Sequence, residues 1–489
     1  MSYEAPSEPK SNPIVYRAEK HAPYRGNRLI EALPPVPSRA EAYKALAHRP
    51  TERPASFRSA PVEQKLDMLS ELQQVFVPTS EHIHALQAVV RVVRQCYLAR
   101  DFDSKEVQSR LAAATGDRRI GLTRLSKTGG GSNGMVLWGC TGAGKTSFLD
   151  RVQAYIGSIP LFHTLVQGRP CRWPQLPVVR IQCKTTLAGT IAQAVAQVDE
   201  KLGTNHLRAL NSRSNRDSHV ALMSYLASVY FWGILIVEDA HKLKDSASVI
   251  LEYFCDLMEE TGMPVMLVST YKFRALLMDD LAVAGKLMAQ GLIDFRLIDY
   301  VGGPSAEQLK HDDWTALVTE LWNLNVYSKA VPMPAELPRW LHFHTLGVRR
   351  IAREMMVAAF TRSLYDSKVQ TITSDLLDEI AADELIKYQE ALDTLRKRFT
   401  GEPISDEDAS KFEHFILPTE ADDVLRNVIK KRKHDESTAV PEAAPRTTRP
   451  KRVTATESKR KPRVQTKDRS KNVAHTYEGL AKSGRLYGA

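Results

Sequence analysis

The chain has 489 residues, 43% of which are hydrophobic, and a formal net charge of +10 at pH 7. One hydrophobic core rarely serves so long a chain, so we expect two or three folded domains with tails. The N-terminus is polar, no apolar run approaches the roughly 20 residues of a membrane span, and the five cysteines have no C-x-x-C spacing. This composition argues against a secreted, membrane, disulfide-rich or zinc-binding protein and predicts a cytoplasmic one.

The charge is concentrated near the C-terminal end. From Lys430 onward the chain has 17 lysines and arginines against 6 acidic residues, whereas the rest is nearly neutral, with 50 basic and 51 acidic residues. Such a tail predicts contact with nucleic acid or with an acidic protein surface. The alternative is a solubilising end without a partner, and residues 434–489 are expected to be disordered in either case.

The first 60 residues are predicted to be an extended arm, because they contain nine prolines and lack helical periodicity. One stretch within the arm, residues 24–35, is short, apolar and helix-capable, and it ends in two prolines. Apolar residues in such an arm usually dock, either on the same chain or on a partner.

Residues 61–128 are predicted to be a helical region. Apolar residues that recur every three or four positions predict one helix over 62–75, a second from the N-cap Ser80 to Cys96, and a third over 105–114. Three glycines at 129–131 then form a flexible lead into the next domain.

A phosphate-binding loop is predicted directly after the apolar run 135–138, because the next eight residues fit G-x-x-x-x-G-K-[ST]. Gly142 and Gly144 let backbone N–H groups approach phosphate oxygens, Lys145 reaches the β- and γ-phosphates, and the Thr146 hydroxyl binds Mg²⁺. The residues predicted to bind ATP are Gly139, Cys140, Thr141, Gly142, Ala143, Gly144, Lys145, Thr146 and Ser147.

A second ATPase motif is predicted about 95 residues further on, where the apolar run 234–237 ends in two carboxylates. We predict that Glu238 holds Mg²⁺ through water and that Asp239 polarises the attacking water. The alternative is a buried strand that ends in a polar turn. A later strand, 264–270, ends in Thr270, whose hydroxyl contacts the γ-phosphate or its water, or instead caps the next helix.

The rest of the pattern predicts an α/β core over 129–302 and a helical lid over 303–400. In the core, strands at 178–183, 234–237, 264–270 and 293–298 alternate with helices at 220–230, 272–277 and 281–288. This alternation is typical of a parallel sheet covered on both faces. The lid helices are predicted at 305–324, 336–342, 347–363 and 373–399, and a helical extension, 401–433, follows. Arg349, at the start of the third lid helix, is predicted to reach back to the phosphates.

The order of these parts resembles an AAA+ ATPase and, more narrowly, the TnsC family (TniB-like), the ATP-dependent regulators that select targets for Tn-seven-type bacterial transposons. The resemblance covers residues 16–400. Its specific segments are the arm, which ends Ile-Glu-Ala-Leu-Pro-Pro, the strand at 264–272, Leu-Trp-Asn-Leu at 321–324 and Ile-Thr-Ser-Asp-Leu-Leu at 372–377. It implies an AAA+ P-loop ATPase with a parallel sheet, a helical N-terminal segment and a helical C-terminal lid, beyond which lies the disordered basic tail.

The resemblance also implies a function. Proteins of this family use ATP and Mg²⁺, assemble on duplex DNA as rings or helical filaments, and link a target-selector protein of the TnsD or TniQ type to the transposase subunits. They work in the bacterial cytoplasm, on DNA. Part of the family's DNA contact comes from the loop after the second strand, which here maps onto Lys184 and Thr185. Such contacts to phosphates are expected to be salt-sensitive and independent of sequence.

Two departures from the family pattern affect hydrolysis. The second motif usually ends Asp-Glu and here ends Glu238-Asp239, so the carboxylate at the catalytic place is one methylene shorter. We therefore predict slow hydrolysis and long-lived ATP-bound assemblies. The family often has arginines after the helix that follows the third motif, where they act on a neighbour's ATP. This chain has Gly285-Lys286 there, so Lys286 or Arg296 is a candidate substitute.

Two other functions fit the same motifs. A replication initiator or helicase loader would carry a winged helix-turn-helix domain after the lid, and the sequence has no pattern for one. A nucleotide-stabilised scaffold that never hydrolyses ATP would tolerate the exchanged carboxylates.

Overall fold

A computed structural model of the chain describes residues 14–412, except 51–54, 102–103, 106, 110–133, 167–168, 210–215, 244–246, 301–311, 325, 330, 367–370, 401, 406 and 409–411. The glycines at 129–131, the helix predicted within the extension and the basic tail lie outside the described residues. Of the helix predicted over 105–114, residues 105 and 107–109 are described, and they are helical. Within the described residues, no helix is long and apolar enough to cross a membrane.

Among the described residues up to Cys96 there are four α-helices: α1 (Arg28–Glu31), α2 (Arg39–Leu46), α3 (Val62–Leu69) and α4 (Ser80–Cys96). The prediction of an irregular arm is wrong at α2, where Ser38 and Glu41 form a capping box, a signal that the sequence contained. The helix predicted over 62–75 ends early and continues as a 3₁₀ turn, Ser70–Gln74. The N-cap of α4 is Thr79 rather than Ser80.

The apolar piece of the arm docks on this chain. Leu29 and Ile30 are fully buried. The side chain of Asn27 caps α1 by accepting from the backbone N–H groups of both residues, and its Nδ2 donates to the Tyr97 carbonyl at 2.8 Å. The carbonyl of Leu29 accepts from Gln175 Nε2 at 3.0 Å. These contacts make the arm part of the fold.

The residues that follow α4 attach it to the central domain. The Tyr97 hydroxyl donates to the Phe231 carbonyl at 2.7 Å. Arg100, which is 2% exposed, donates to the carbonyls of Trp232 at 2.6 Å and Ala227 at 2.9 Å. Buried carbonyls at the end of a central helix are therefore satisfied by the N-terminal region.

A Leu29→Ala substitution is expected to lower the free energy of unfolding by about 2–5 kcal/mol, because it removes a fully buried side chain and leaves a cavity under the arm. Urea denaturation followed by circular dichroism measures the change. Leu281→Ala is the control, since Leu281 is 76% exposed and should change stability by less than about 0.5 kcal/mol. Equal effects of the two substitutions would show that the arm is not docked.

The central domain is built on a five-stranded parallel sheet with the strand order β4-β5-β6-β1-β7. The strands of the domain are β1 (Met135–Gly139), β2 (Leu161–Val166), β3 (Arg169–Gln175), β4 (Val179–Gln182), β5 (Leu235–Glu238), β6 (Val265–Val268) and β7 (Leu292–Phe295). Central strands β1 and β6 are buried along their whole length, which explains their continuous apolar sequences. The predicted parallel sheet is confirmed. Parallel strands place all their carboxyl ends at one edge, where the site is found.

Four described elements of this domain were not predicted: two strands and two helices. Strands β2 and β3 pair as an antiparallel hairpin between the phosphate-loop helix and β4. The core helices are α5 (Lys145–Ile156), α6 (Leu187–Leu202), α7 (Arg216–Val229), α8 (Ala247–Thr261), α9 (Phe273–Met278) and α10 (Leu281–Leu287). Of these, α6 and α8 were not predicted, although the buried residues of α6 recur at helical spacing from Leu187 to Leu202.

The lid contains five described helices: α11 (Asp313–Trp322), α12 (Leu337–Thr345), α13 (Arg349–Tyr365), α14 (Ser374–Asp383) and α15 (Ile386–Thr400). The single helix predicted over 373–399 is in fact two. The break falls at Glu384 and Leu385, and Leu385 is 3% exposed there, so burial of this side chain accompanies the turn. The sequence has neither Gly nor Pro at the break to signal it.

Candidate functional site

The phosphate loop joins the end of β1 to the start of α5 and packs against the lid. Gly142 and Gly144 have φ values of 84° and 99°, in the left-handed region that favours glycine. A Cβ atom at Gly142 would lie 2.9 Å from Cγ1 of Val348, just before α13. The backbone N–H of Arg350 donates to the Gly142 carbonyl at 3.3 Å. The loop and the first turn of α13 are therefore in direct contact.

Lys145 is held in place at the first residue of α5. Its Nζ donates to the carbonyl of Gly139 at 2.7 Å and to that of Cys140 at 2.8 Å. Burial lowers the pKa of the Lys145 ammonium, and Cys140 and Asp239 oppose this shift. Burial also raises the pKa of the Cys140 thiol to about 12, so this cysteine is an unreactive packing residue of the loop.

A cavity of about 590 Å³ lies over the loop. The residues that line it are Gln73, Thr141, Gly142, Gly144, Lys145, Thr146, Ser147, Asp239, His241, Thr270, Arg350, Arg353 and Glu354. Most of the residues predicted from the sequence are thus brought together in one place. Gly139, Cys140 and Ala143 belong to the same loop without lining the cavity, while Glu238 and Arg349 face elsewhere.

The two carboxylates of the second motif lie in different surroundings, because Glu238 is the last residue of β5 and Asp239 lies just beyond the strand. Asp239 faces the cavity, adopts a left-handed backbone conformation with φ 59°, and pairs with Lys242 at 2.7 Å. Glu238 instead pairs with Arg180 at 2.6 Å, and Arg180 also pairs with Asp150 at 2.5 Å. Glu238 and Arg180 line a second cavity of about 610 Å³. The metal role predicted for Glu238 is therefore not supported by its position.

Of the two adjacent arginines at the start of α13, Arg350 lines the cavity and the predicted Arg349 does not. Arg349 is 2% exposed, its Nη1 donates to the Val77 carbonyl at 2.7 Å, and its guanidinium lies over the Phe76 ring. Burial lowers the pKa of Arg349 to about 9. Neighbouring helical residues point about 100° apart, so a one-residue difference decides which arginine reaches the cavity. Arg350 is exposed there and pairs with Glu354 at 3.0 Å.

Arg350→Ala is expected to weaken ATP binding by about 10- to 100-fold while leaving thermal stability unchanged, because Arg350 is exposed toward the cavity. Arg349→Ala is the matched control, and it should lower the melting temperature by several degrees because it removes a buried side chain. Calorimetric titration and thermal melting of both variants separate the two roles. The opposite pattern would restore Arg349 as the nucleotide-binding residue.

Several residues that line the cavity were not predicted from the sequence. Thr270 is 5% exposed and lines the cavity as predicted, and His241, which was not predicted, lies near it with its Nδ1 3.5 Å from the hydroxyl of Ser269. Gln73 and Arg353 were also missed, and no local motif marks them. The second motif did contain a signal for His241, two residues after Asp239.

The residues considered for contacts with other molecules do not line this cavity. Lys184 and Thr185 are exposed between β4 and α6, at the carboxyl edge of the sheet. Lys286 pairs with Glu259 at 2.6 Å, and Arg296, just after β7, pairs with Asp294 at 3.1 Å. No group of three or more acidic, His or Cys side chains in the described part of the chain is arranged to hold a metal by itself.

Comparison with known proteins gives the fold of the central domain. Residues 129–277 match the family model of an AAA domain. No curated protein sequence matches the chain. The family match, the phosphate loop and the parallel five-stranded sheet together identify an AAA+ P-loop fold.

Three solved structures are similar in part. Domain III of the replication initiation protein DnaA from Thermotoga maritima is 15% identical, with a TM-score of 0.30, over 58% of this chain and 95% of that one. A structure of Drosophila ORC bound to DNA is 15% identical, with a TM-score of 0.32, over 71% and 89%. NtrX from Brucella abortus in complex with ADP is 13% identical, with a TM-score of 0.29, over 72% and 86%.

Proposed function

We propose that this chain is an ATP-dependent, DNA-binding regulator that oligomerises on duplex DNA and couples a target-selector protein to a transposase. The observation that carries the ATPase part is the cavity over the phosphate loop. Lysine, hydroxyl, carboxylate and arginine side chains from the loop, from two strand ends and from the lid meet there, and each type serves phosphoryl transfer.

The cavity residues suggest a division of roles. Backbone N–H groups of the loop and Lys145 hold the β- and γ-phosphates, while Thr270 and Arg350 contact the γ end. Asp239 orients the attacking water. The Thr146 hydroxyl and the Asp239 carboxylate are hard oxygen donors facing the same cavity, so they suit Mg²⁺, which neutralises charge on the phosphates when it is bound.

We infer that hydrolysis is slow. The carboxylate that faces the cavity is an aspartate, one methylene shorter than the usual glutamate, and it is paired with Lys242. Glu238 is paired with Arg180 and lines another cavity. Slow hydrolysis suits a molecular switch that acts while ATP is bound, because the ATP-bound assembly then lasts longer.

The DNA and transposition parts of the proposal rest on the resemblance to the TnsC family. Lys184 and Thr185 are exposed at the place where that family contacts DNA, so they are available to phosphates. The segments of the arm and the lid that resemble the family lie in described helices or next to them. They support transposase and target-selector partners more specifically than the ATPase motifs do.

Electron microscopy of the full chain on duplex DNA tests the proposal, with ATP, ADP or a non-hydrolysable ATP analogue. We expect rings or filaments on DNA with ATP and with the analogue, and none with ADP. Assembly that ignores the nucleotide would favour a scaffold over a switch. A Lys184→Ala variant should bind DNA more weakly and with a shallower salt dependence. Strand-transfer assays with purified transposase then test the coupling, and an ATP-dependent assembly that never stimulates a transposase would reject the transposition part.

A further inference from the structure

The carboxylate that is proposed to orient the attacking water is paired with a lysine that does not line the nucleotide cavity. Lys242 Nζ lies 2.7 Å from Asp239 Oδ2, and the backbone N–H of Lys242 donates to the Asp239 carbonyl at 2.8 Å. The side-chain bond uses one oxygen of the carboxylate and draws it toward Lys242. The Lys242 side chain is 47% exposed, and ion pairs as exposed as this one are weak. Another anion can therefore take the place of the carboxylate.

This ion pair lies beside the loop that is proposed to contact DNA. The backbone N–H of Cys183, the residue before Lys184, donates at 2.7 Å to the carbonyl of Glu238, the residue before Asp239. Burial raises the pKa of the Cys183 thiol to about 11, and of the nearby charges Asp239 adds to this rise whereas Lys242 opposes it. Both members of the ion pair are therefore close to the start of the loop.

Lys184 and Lys242 are two exposed lysines at the same edge of the sheet. Lys184 follows β4 and Lys242 follows β5, and neighbouring strands such as these lie about 4.8 Å apart. The Lys184 side chain starts next to the first turn of α6, since a Cβ atom at Gly189 would lie 3.3 Å from the Cβ of Lys184. The partial positive charge of that helix N-terminus favours an anion at the same place. A DNA strand, which carries one phosphate for each nucleotide, can therefore contact both lysines.

We propose that Lys242 binds a phosphate of duplex DNA next to Lys184 and thereby releases Asp239, so that DNA binding stimulates ATP hydrolysis. This assignment rests on the proposed function, because it needs both the nucleotide site and the DNA-facing loop. Without DNA, Lys242 keeps the carboxylate turned away from the attacking water. With DNA, Lys242 pairs with a phosphate and Asp239 orients the water. Hydrolysis on DNA is still slow, since Asp239 remains one methylene short, but it begins only after the ATP-bound chain has reached DNA.

Lys242→Met in the full chain tests this link, because methionine is also long and unbranched but carries no charge. In single-turnover assays, saturating duplex DNA should speed ATP hydrolysis by the wild type about three- to tenfold. Without DNA, Lys242→Met should hydrolyse ATP faster than the wild type by a similar factor, and DNA should add nothing further. Lys242→Arg keeps the charge and should keep the stimulation. Thermal melting of both variants should be nearly unchanged, since Lys242 is exposed.

DNA binding gives a second readout that does not depend on hydrolysis. Lys242→Met should bind duplex DNA more weakly, and the slope of log affinity against log salt should become shallower by about 1, because one phosphate contact is lost. Lys184→Ala should also bind more weakly, but its rate without DNA should equal that of the wild type and saturating DNA should still stimulate it. Lys397→Met, which removes an exposed lysine of α15, is the matched control and should change none of these quantities.

Three results would overturn the proposal. The first is a Lys242→Met variant whose rate without DNA is that of the wild type and which DNA still stimulates. The second is a slower rate without DNA, because Lys242 would then hold Asp239 in its working position. The third is an unchanged affinity and salt slope, because DNA would then not contact Lys242.

The wild type and Lys145→Ala, measured in the same assays, distinguish failure of this link from failure of the proposed function. A wild type that binds no duplex DNA, or hydrolysis that persists in Lys145→Ala, would reject the proposed function itself. A wild type that binds DNA and needs Lys145 for hydrolysis, but whose Lys242→Met variant behaves like the wild type, would overturn only the role of Lys242.

Discussion

A Lys145→Ala variant is expected to bind ATP about 100-fold more weakly and to lose ATP-dependent assembly on DNA. The Lys145 ammonium is held at the N-terminus of α5 by hydrogen bonds to two backbone carbonyls, those of Gly139 and Cys140. Lys145 also lines the cavity. The ammonium is already held in position, so it needs little reorganisation to bind a phosphate. The interaction between Lys145 and the phosphate is therefore strong. Titration with ATP and electron microscopy on DNA give the two readouts.

The control for this variant is Lys397→Ala. Lys397 is an exposed lysine of α15, so this substitution removes the same positive charge away from the cavity residues. It should leave both ATP binding and assembly unchanged. If Lys145→Ala still assembled on DNA in response to ATP, the cavity over the phosphate loop would not be the switch.

An Asp239→Asn variant is expected to hydrolyse ATP about 100- to 1,000-fold more slowly while still binding it. Asparagine keeps the size of aspartate and tolerates the left-handed conformation found at this residue, so the substitution removes the charge with little strain. ATP-bound assemblies on DNA should consequently last longer. Single-turnover hydrolysis and the lifetime of assemblies after dilution measure these effects.

Glu238→Gln is the informative comparison for Asp239→Asn. Glu238 lines the other cavity, where its partner is Arg180, so Glu238→Gln should slow hydrolysis less than Asp239→Asn does. A reversed order, with Glu238→Gln the more damaging change, would mean that Glu238 leaves Arg180 and enters the site when ATP binds. It would also restore the metal role that the sequence motif predicted for Glu238.

The sequence indicated where residues lie best wherever a local motif sets both the residue and its direction, while the roles of these residues stay predictions. The loop from Gly139 to Ser147 is such a case, because the order of glycines, Lys145 and Thr146 specifies backbone shape and chemistry together. Thr270 follows from its place at the end of a buried strand. In these cases the carboxyl edge of a parallel sheet does the positioning.

Prediction was weaker where direction depends on packing. The choice between Arg349 and Arg350 depends on the rotation of α13 against the phosphate loop, which Val348 sets by packing close to Gly142. The sequence also predicted that both carboxylates, Glu238 and Asp239, lie at the ATP. In the structure they are separated, because Glu238 forms an ion pair with Arg180. Gln73 and Arg353 come from distant parts of the chain, so only the tertiary fold brings them to the same cavity.

Tyr97 and Arg100 donate hydrogen bonds to backbone carbonyls at 227–232. The segment that matches the AAA domain therefore depends on residues outside it to satisfy its buried carbonyls. A protein cut to begin at residue 129 would leave the carbonyls of Ala227, Phe231 and Trp232 without these donors. It would also lack Gln73, a wall of the ATP cavity. Because Asn27 and Leu29 also bond to Tyr97 and Gln175, we expect a stable fragment to start upstream of Asn27, within the proline-rich arm, and truncation screens should be designed from there.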